Sequence, residues 1–207
     1  MFTNISDMEQ FVELLSSLKA NEALIYGIPR EQDFARIVKK EVFGALSESE
    51  KTATIARSND CFHWPDGPGI FMIDYDPEVG ASAMDRDELL QLFESICPEL
   101  HGVPKVWCPS SSSHICTEDG TDLTGLRGQR LYVPVNDARK IPQLSEVFEK
   151  RFWAKGYGYI RVSKSGQRLK RTPMDHSVYQ PSRLDFAAGA STGKGLKQMR
   201  GEPEVLA

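Results

Sequence analysis

The sequence predicts an α/β or α+β fold with at least one mixed or antiparallel sheet. Two patterns carry that expectation. Apolar residues recur at helical spacing in segments around Phe11, Leu92 and Phe148, and between these lie short β-branched and aromatic runs bounded by Pro, Gly or Asp. Length agrees, because 207 residues can bury one sizeable core, built in one piece or as two packed halves. No apolar run approaches the ~20 residues that a bilayer span needs, so no membrane association is expected, and the N-terminal Met1-Phe2-Thr3-Asn4 lacks the pattern of a signal peptide.

In chain order, Ser6-Asp7-Met8-Glu9 reads as a capping box with Ser6 at the N-cap, opening a helix that carries Met8, Phe11, Leu14, Leu15 and Leu18 to about Ala20. Gly27 and Pro29 break the pattern. Residues 31–46 stay open between helix and strand: Phe34, Ile37, Val38 and Val42 suit a helix, while the β-branched content suits a strand. Ser47 to Lys51 reads as a loop. The turn from Cys61 to Gly69, with His63 either a ligand or, as the turn favours, packing or capping beside Trp64, delivers the chain into the strand Ile70-Phe71-Met72-Ile73-Asp74-Tyr75, which Pro77 terminates. A second helix carries Leu89, Leu90, Leu92, Phe93 and Ile96 and stops at Pro98. Val103 to Trp107 and Arg130 to Val135 are strands, the second with Arg130 and Tyr132 on one face. Ile141, Leu144, Val147, Phe148 and Phe152 make a third helix that Gly156 ends. Tyr159 to Val162 then turns at Ser165-Gly166 into a basic hairpin, and from Gly189 onward Gly, Ser, Thr and Lys read as a flexible exit.

Side chains two apart on a strand share a face, so Asp74 and Asp76 project side by side at the end of an otherwise apolar run. Such a pair is either a strand running out into solvent or a site for a divalent cation, since hard oxygen ligands suit Mg²⁺ or Mn²⁺. Downstream, Ser110-Ser111-Ser112-Ser113-His114 is either a plain loop or a place where hydroxyls, backbone N–H groups and an imidazole converge on a phosphate. Cys61, Cys97, Cys108 and Cys116 show no CxxC spacing, and free thiols are expected. The net charge of −4 argues against a protein that coats nucleic acid over its whole surface. Its distribution is uneven: Asp74 to Glu99 holds eight acidic residues and only Arg86 as a base, whereas Arg151 to Arg171 holds seven basic residues and no acid. These are two solvated faces, or a basic stripe that holds a polyanion beside a cation site.

Ile73-Asp74-Tyr75-Asp76, Ser112-Ser113-His114 and Met174-Asp175 stand in the order hydrophobic-Asp-hydrophobic-Asp, Ser-x-His, hydrophobic-Asp. With the flanks Phe62-His63-Trp64-Pro65-x-Gly67-Pro68-Gly69 and Ser177-Val178-Tyr179-Gln180-Pro181-Ser182-Arg183-Leu184-Asp185-Phe186, the chain resembles, over roughly residues 10 to 195, the archaeo-eukaryotic primase (primase-polymerase) superfamily, and within it the primase domain of phage and plasmid replication proteins. The resemblance implies a primase-like catalytic core, an RNA-recognition-like sheet packed with a smaller α/β unit, over residues 1–193, with 194–207 a tail or linker. It implies a template-directed nucleotidyltransferase that makes primers from nucleoside triphosphates on a single-stranded DNA template, with or without extending them. Asp74, Asp76 and Asp175 would hold Mg²⁺ or Mn²⁺, and Ser112 and His114 the triphosphate. Asp185 rivals Asp175 for the third carboxylate, but Met174-Asp175 directly follows the basic hairpin, as the family order requires; Arg183-Leu184-Asp185-Phe186 reads better as a closure with an Arg–Asp pair. Arg130 is a candidate for the β- or γ-phosphate, and Lys164, Arg168, Lys170 and Arg171 for template phosphates or the triphosphate. Phage and plasmid relatives imply a cytoplasmic setting in a bacterial host cell. The chain has no GxxxxGK[ST] loop, so a helicase would be a partner domain or subunit. Two other functions fit the same residues: a non-catalytic module that binds single strands or an origin through the hairpin with Tyr157 and Tyr159, and a metal-dependent nuclease, against which the Ser-x-His loop argues.

Overall fold

The computed structural model describes residues 3–31, 35–78 and 80–207. The chain begins with α1 (Met8–Ser17), β1 (Leu24–Ile25), β2 (Ile28–Pro29), β3 (Arg36–Val38), α2 (Lys40–Gly44), α3 (Glu48–Lys51), β4 (Thr54–Ala56), β5 (Phe62–His63) and β6 (Gly69–Tyr75). It continues through α4 (Arg86–Ile96), β7 (Lys105–Pro109), β8 (Ile115–Thr117), β9 (Gln129–Val135) and α5 (Ile141–Ala154). Then follow β10 (Tyr159–Val162), β11 (Arg168–Arg171), β12 (Leu184–Asp185), β13 (Leu196–Gln198) and β14 (Glu204–Leu206). This is an α+β arrangement, with an antiparallel four-stranded sheet in the order β14-β7-β9-β6 at its centre. Among the described residues no helix is long and apolar enough to cross a membrane, and all four cysteines are free.

The pleat of β6 sorts its side chains. Phe71 stacks on Phe148 of α5 (5.5 Å between centroids) and on Tyr179 (4.8 Å), and Phe93 of α4 meets Phe152 edge-on at 5.5 Å, so α4 and α5 cover one face. Tyr75 is buried on that same face, as expected of a core residue, and its hydroxyl accepts from the Met84 N–H. The opposite face carries Met72 and Asp74 of β6, Tyr132 and Arg130 of β9, and Val106 and Cys108 of β7, cross-strand partners in register. Phe11 of α1 packs edge-on against Tyr132 at 5.0 Å and covers the apolar end of this face. Asp74 and Arg130 lie at its other end.

Several local expectations shift. The N-cap of α1 is Asp7, whose Oδ1 accepts from the Gln10 N–H at 2.8 Å, with Ser6 N–H donating to Gln10 Oε1. A charged carboxylate at the helix start gains from the helix dipole as well as from the hydrogen bond. Residues 31–46 divide between a strand and a helix: β3 pairs in parallel with β4, and α2 follows at once. Phe34 lies outside the described residues. Ser47 to Lys51 is a helical turn rather than a loop, because Ser47 and Glu50 form a reciprocal capping box.

The stretch after Gly189 is not a flexible exit. β13 pairs with β8, and β14 pairs with β7 as the outer strand of the central sheet. The reason is backbone accounting: every residue of β7 is buried, and its outer N–H and C=O groups need partners. Arg86 anchors the new edge through Glu204 at 2.7 Å, and Gln198 Nε2 donates to the carbonyls of Ser110 and Ser113 at 3.2 and 2.8 Å, tying the tail to the serine loop. Truncation after Pro203 is therefore expected to destabilise the protein by roughly 2–4 kcal/mol, since Val205 and Leu206 and a set of ladder bonds leave together. A urea titration of the truncated chain checks this; an unchanged midpoint would show that the edge strand is dispensable.

Candidate functional site

The site forms where one end of β6 meets β9, the serine loop and the segment after the hairpin. Asp74 sits opposite Arg130 in the β6–β9 ladder, and Arg130 Nε lies 3.4 Å from Asp74 Oδ1. Burial pushes the Asp74 carboxyl up from 3.8 to about 6, Arg130 opposes the shift, and Asp76, Asp185 and Asp175 add to it. Asp74 therefore lies within the field of the other three acids. Asp76, two residues on, lies just past the end of β6 and is exposed. Its Oδ1 and Ser110 Oγ both press against Gly128, so closely that a Cβ there would collide with both.

Asp175 reaches this place from a distant part of the sequence. Its N–H donates to the carbonyl of Asp74 at 3.0 Å along the open edge of β6. Its own carboxylate is turned back, Oδ1 accepting from the Ser177 N–H and Oδ2 from the Ser177 hydroxyl, each at 2.9 Å. Among the described residues no three His, Cys, Asp or Glu side chains are gathered as a ready cation site. The donor chemistry still suits a hard cation: Asp74, Asp76 and Asp175 are all carboxylates, and a positive charge among them would relieve the repulsion felt at Asp74. Rotation of Asp175 about its side-chain torsions would release it from Ser177.

The serine loop divides its labour. Ser113 is buried, donating to the Gly128 carbonyl at 2.9 Å and accepting from the Arg127 N–H at 3.0 Å, which makes it structural. Ser112 is exposed and touches Ser110 Oγ at 2.8 Å. His114 has φ 54°, the one positive value outside glycine among the described residues. That left-handed conformation is unfavourable for a side-chain-bearing residue and persists where the surroundings fix it. Here they do: the His114 N–H donates to Gly125 O and its C=O accepts from Met199 N–H, both at 2.8 Å. His114 Nδ1 meets Asp122 Oδ2 at 2.8 Å, and that bond holds the Asp122 carboxyl below its usual range. With Nδ1 paired, Nε2 is the ring nitrogen left for a ligand. Asp122 is a residue that motif reading overlooked; the turn at Asp119-Gly120, which folds it back towards His114, was the signal.

Arg130 is more constrained than a free phosphate ligand would be. Its side chain is 11% exposed, and Nη1 lies 2.8 Å from Asp185 Oδ1 while donating to the Phe186 carbonyl at 2.8 Å. Burial alone would lower its pKa, but the carboxylates of Asp185 and Asp74 more than reverse this and keep it charged. Asp185, 2% exposed, accepts from the hydroxyls of Tyr26 (2.6 Å) and Tyr132 (3.0 Å) through Oδ2. It is thus a buried anchor, and the arginine it pairs with is Arg130 rather than Arg183. Arg57 and Arg183 join Asp74 and Arg130 around a cavity of about 250 Å³, and among the described residues neither has a carboxylate within salt-bridge distance. Arg57 stood in no motif, and Arg183 was read only as a partner for Asp185.

The hairpin β10–β11 pairs only with itself among the described strands and is exposed along β10. Lys164, Arg168, Lys170 and Arg171 are all exposed. Burial raises the Tyr159 pKa, and Glu78 adds to the shift. No family model, curated protein or solved structure matches this chain.

Substituting Gly128 by alanine is expected to cost about 1–3 kcal/mol through overpacking and to part Asp76 from the serine loop. A thermal melt measures the first effect. Nucleotide affinity measures the second, and an unaltered affinity would mean that this contact does not matter.

Proposed function

We propose that the chain is a divalent-metal-dependent, template-directed nucleotidyltransferase of the primase-polymerase kind, making primers on single-stranded DNA. One observation carries the reading: Asp74 and Asp76, the backbone of Asp175 and, through Ser110, the serine loop, from three separate parts of the sequence, come to one end of one sheet. In the central sheet, β6-α4-β7 followed after β8 by β9-α5, with β9 between β6 and β7, also supports an RNA-recognition-like core; it departs from that pattern in its fourth strand, β14, which flanks β7 rather than β6.

In such a reaction the 3′-oxygen of the primer attacks the α-phosphorus of the incoming nucleotide. A P–O bond forms, the bond to the pyrophosphate oxygen breaks, and the hydroxyl proton leaves to solvent. Two divalent ions, when bound, activate the attacking oxygen and neutralise the leaving pyrophosphate. Asp74, Asp76 and Asp175 would hold them. Ser112 and His114 Nε2 would face the triphosphate, with Asp122 fixing the imidazole's orientation and the backbone bonds to Gly125 and Met199 holding its position. Arg130 fixes Asp74 in place, while Arg57 and Arg183 are the freer cations for phosphate charge. The exposed basic hairpin is the contact for template phosphates.

The test is primer synthesis on single-stranded DNA with ribo- or deoxynucleoside triphosphates and Mg²⁺ or Mn²⁺. Products that vanish with a chelator and return with the ion are expected. No product under any mixture, with DNA binding intact and unaffected by chelator, would favour the second reading. That reading, a non-catalytic single-strand-binding module, draws on the exposed basic hairpin. A replicative helicase as partner domain or subunit stays within the proposal.

A further inference from the structure

Phe186 is a large aromatic side chain that remains 57% exposed, although its neighbours Asp185, Ala187 and Ala188 are all buried. Its backbone is fixed from both sides: Arg130 Nη1 donates to the Phe186 carbonyl and Arg200 Nη2 to the Ala187 carbonyl, each at 2.8 Å. The ring is therefore presented to solvent from a rigid mount. It borders two cavities at once. One, of about 250 Å³, holds Asp74, Arg130, Arg57 and Arg183; the other, of about 330 Å³, is reached by Ser111 of the serine loop. A flat apolar ring beside guanidinium groups and hydroxyls matches a ligand with a flat aromatic part and an anionic part.

We propose that Phe186 is the platform on which the base of the bound nucleotide stacks, while its phosphates lie towards the arginines and the serine loop. The inference rests on the nucleotidyltransferase reading and adds the subsite for the base. Stacking on an aromatic face accepts every base, as a template-directed enzyme requires, and leaves the choice of base to pairing. An apolar partner protein would account for the exposed ring, but not for the cations and the serine loop around it.

The experiment uses the full chain with Phe186→Ala, Phe186→Leu and Phe186→Trp. In primer extension, Phe186→Ala is expected to raise the nucleotide KM by about 10-fold or more with kcat kept. Inhibition by inorganic tripolyphosphate, which has no base, should not change. Phe186→Trp should restore the KM and Phe186→Leu should not. A KM unchanged in Phe186→Ala, or restored as well by leucine as by tryptophan, overturns the stacking role while leaving the enzyme reading intact. A parent with no incorporation sinks the enzyme reading instead, and the base subsite is then read by fluorescence. Phe186→Trp emission quenched by ATP but not by tripolyphosphate, beyond the parent's response, supports the subsite; no such quenching overturns it.

Discussion

Replacing Asp185 by alanine is expected to destabilise the protein by about 3–5 kcal/mol, the cost of leaving a buried charge without its partner. Asp185 meets Arg130 at 2.8 Å, and both side chains are largely removed from solvent, at 1% and 11% exposure. The same carboxylate also accepts from Tyr26 and Tyr132, so three groups lose a partner together. For a chain of this size the melting temperature should fall by roughly 6–20 °C. Tyr26→Phe removes one donor to a charged acceptor and should cost less, about 1.5–3 kcal/mol. Adding Arg130→Met to Asp185→Ala should recover part of the loss, because the uncompensated guanidinium disappears with its partner. Chemical denaturation of the single and double variants makes the check, and simple additivity would show that the pair is not coupled. The network ties β1 to β12 and both to the central sheet, so its loss should also loosen the mount of Phe186.

What could be read from the sequence, and what could not, follows the range of the interactions. Helix α4, the β6 run from Ile70 to Ile73 and the Ser165-Gly166 hairpin rest on local periodicity and turn chemistry, and they stand within a few residues of expectation. Asp74, Asp76 and Ser112–His114 entered the candidate site because their order resembles a motif. The bond between Tyr26 and Asp185 spans 159 residues and leaves no periodic trace. Arg57 likewise reaches the Asp74 cavity only through the fold. The tail looked flexible because Gly, Ser and Lys dominate it, yet three residues, Glu204 to Leu206, suffice to complete a buried sheet edge. Composition describes the average residue of a segment, whereas pairing depends on a few.

Asp74→Asn should separate activity from stability more sharply than any other substitution. As the half-buried member of the carboxylate set, Asp74 would bind the ions that stabilise the transition state by several kcal/mol, so incorporation is expected to fall by roughly 10³-fold or more. Stability should move the other way. Burial first, then Asp76, Asp185 and Asp175, lift the carboxyl from 3.8 to about 6 against the pull of Arg130. An acid whose pKa rises on folding favours the folded state only while it is protonated, so its cost is absent below about pH 4 and grows until the pH passes about 6. At pH 7.5, in metal-free buffer with a chelator, the neutral amide should therefore melt higher than the parent. The gap should close as the pH drops through 6 towards 4, where the parent's own carboxyl becomes neutral in both states. Arg130 keeps Asp185 as its partner throughout, which removes the main way in which the substitution could unfold the site. A variant that melts lower at pH 7.5, or a gap that does not narrow with acid, would mean that Asp74 contributes to folding as an ordinary ion pair. Lost incorporation with raised stability is the behaviour of a residue kept at a cost to the fold for the chemistry it performs.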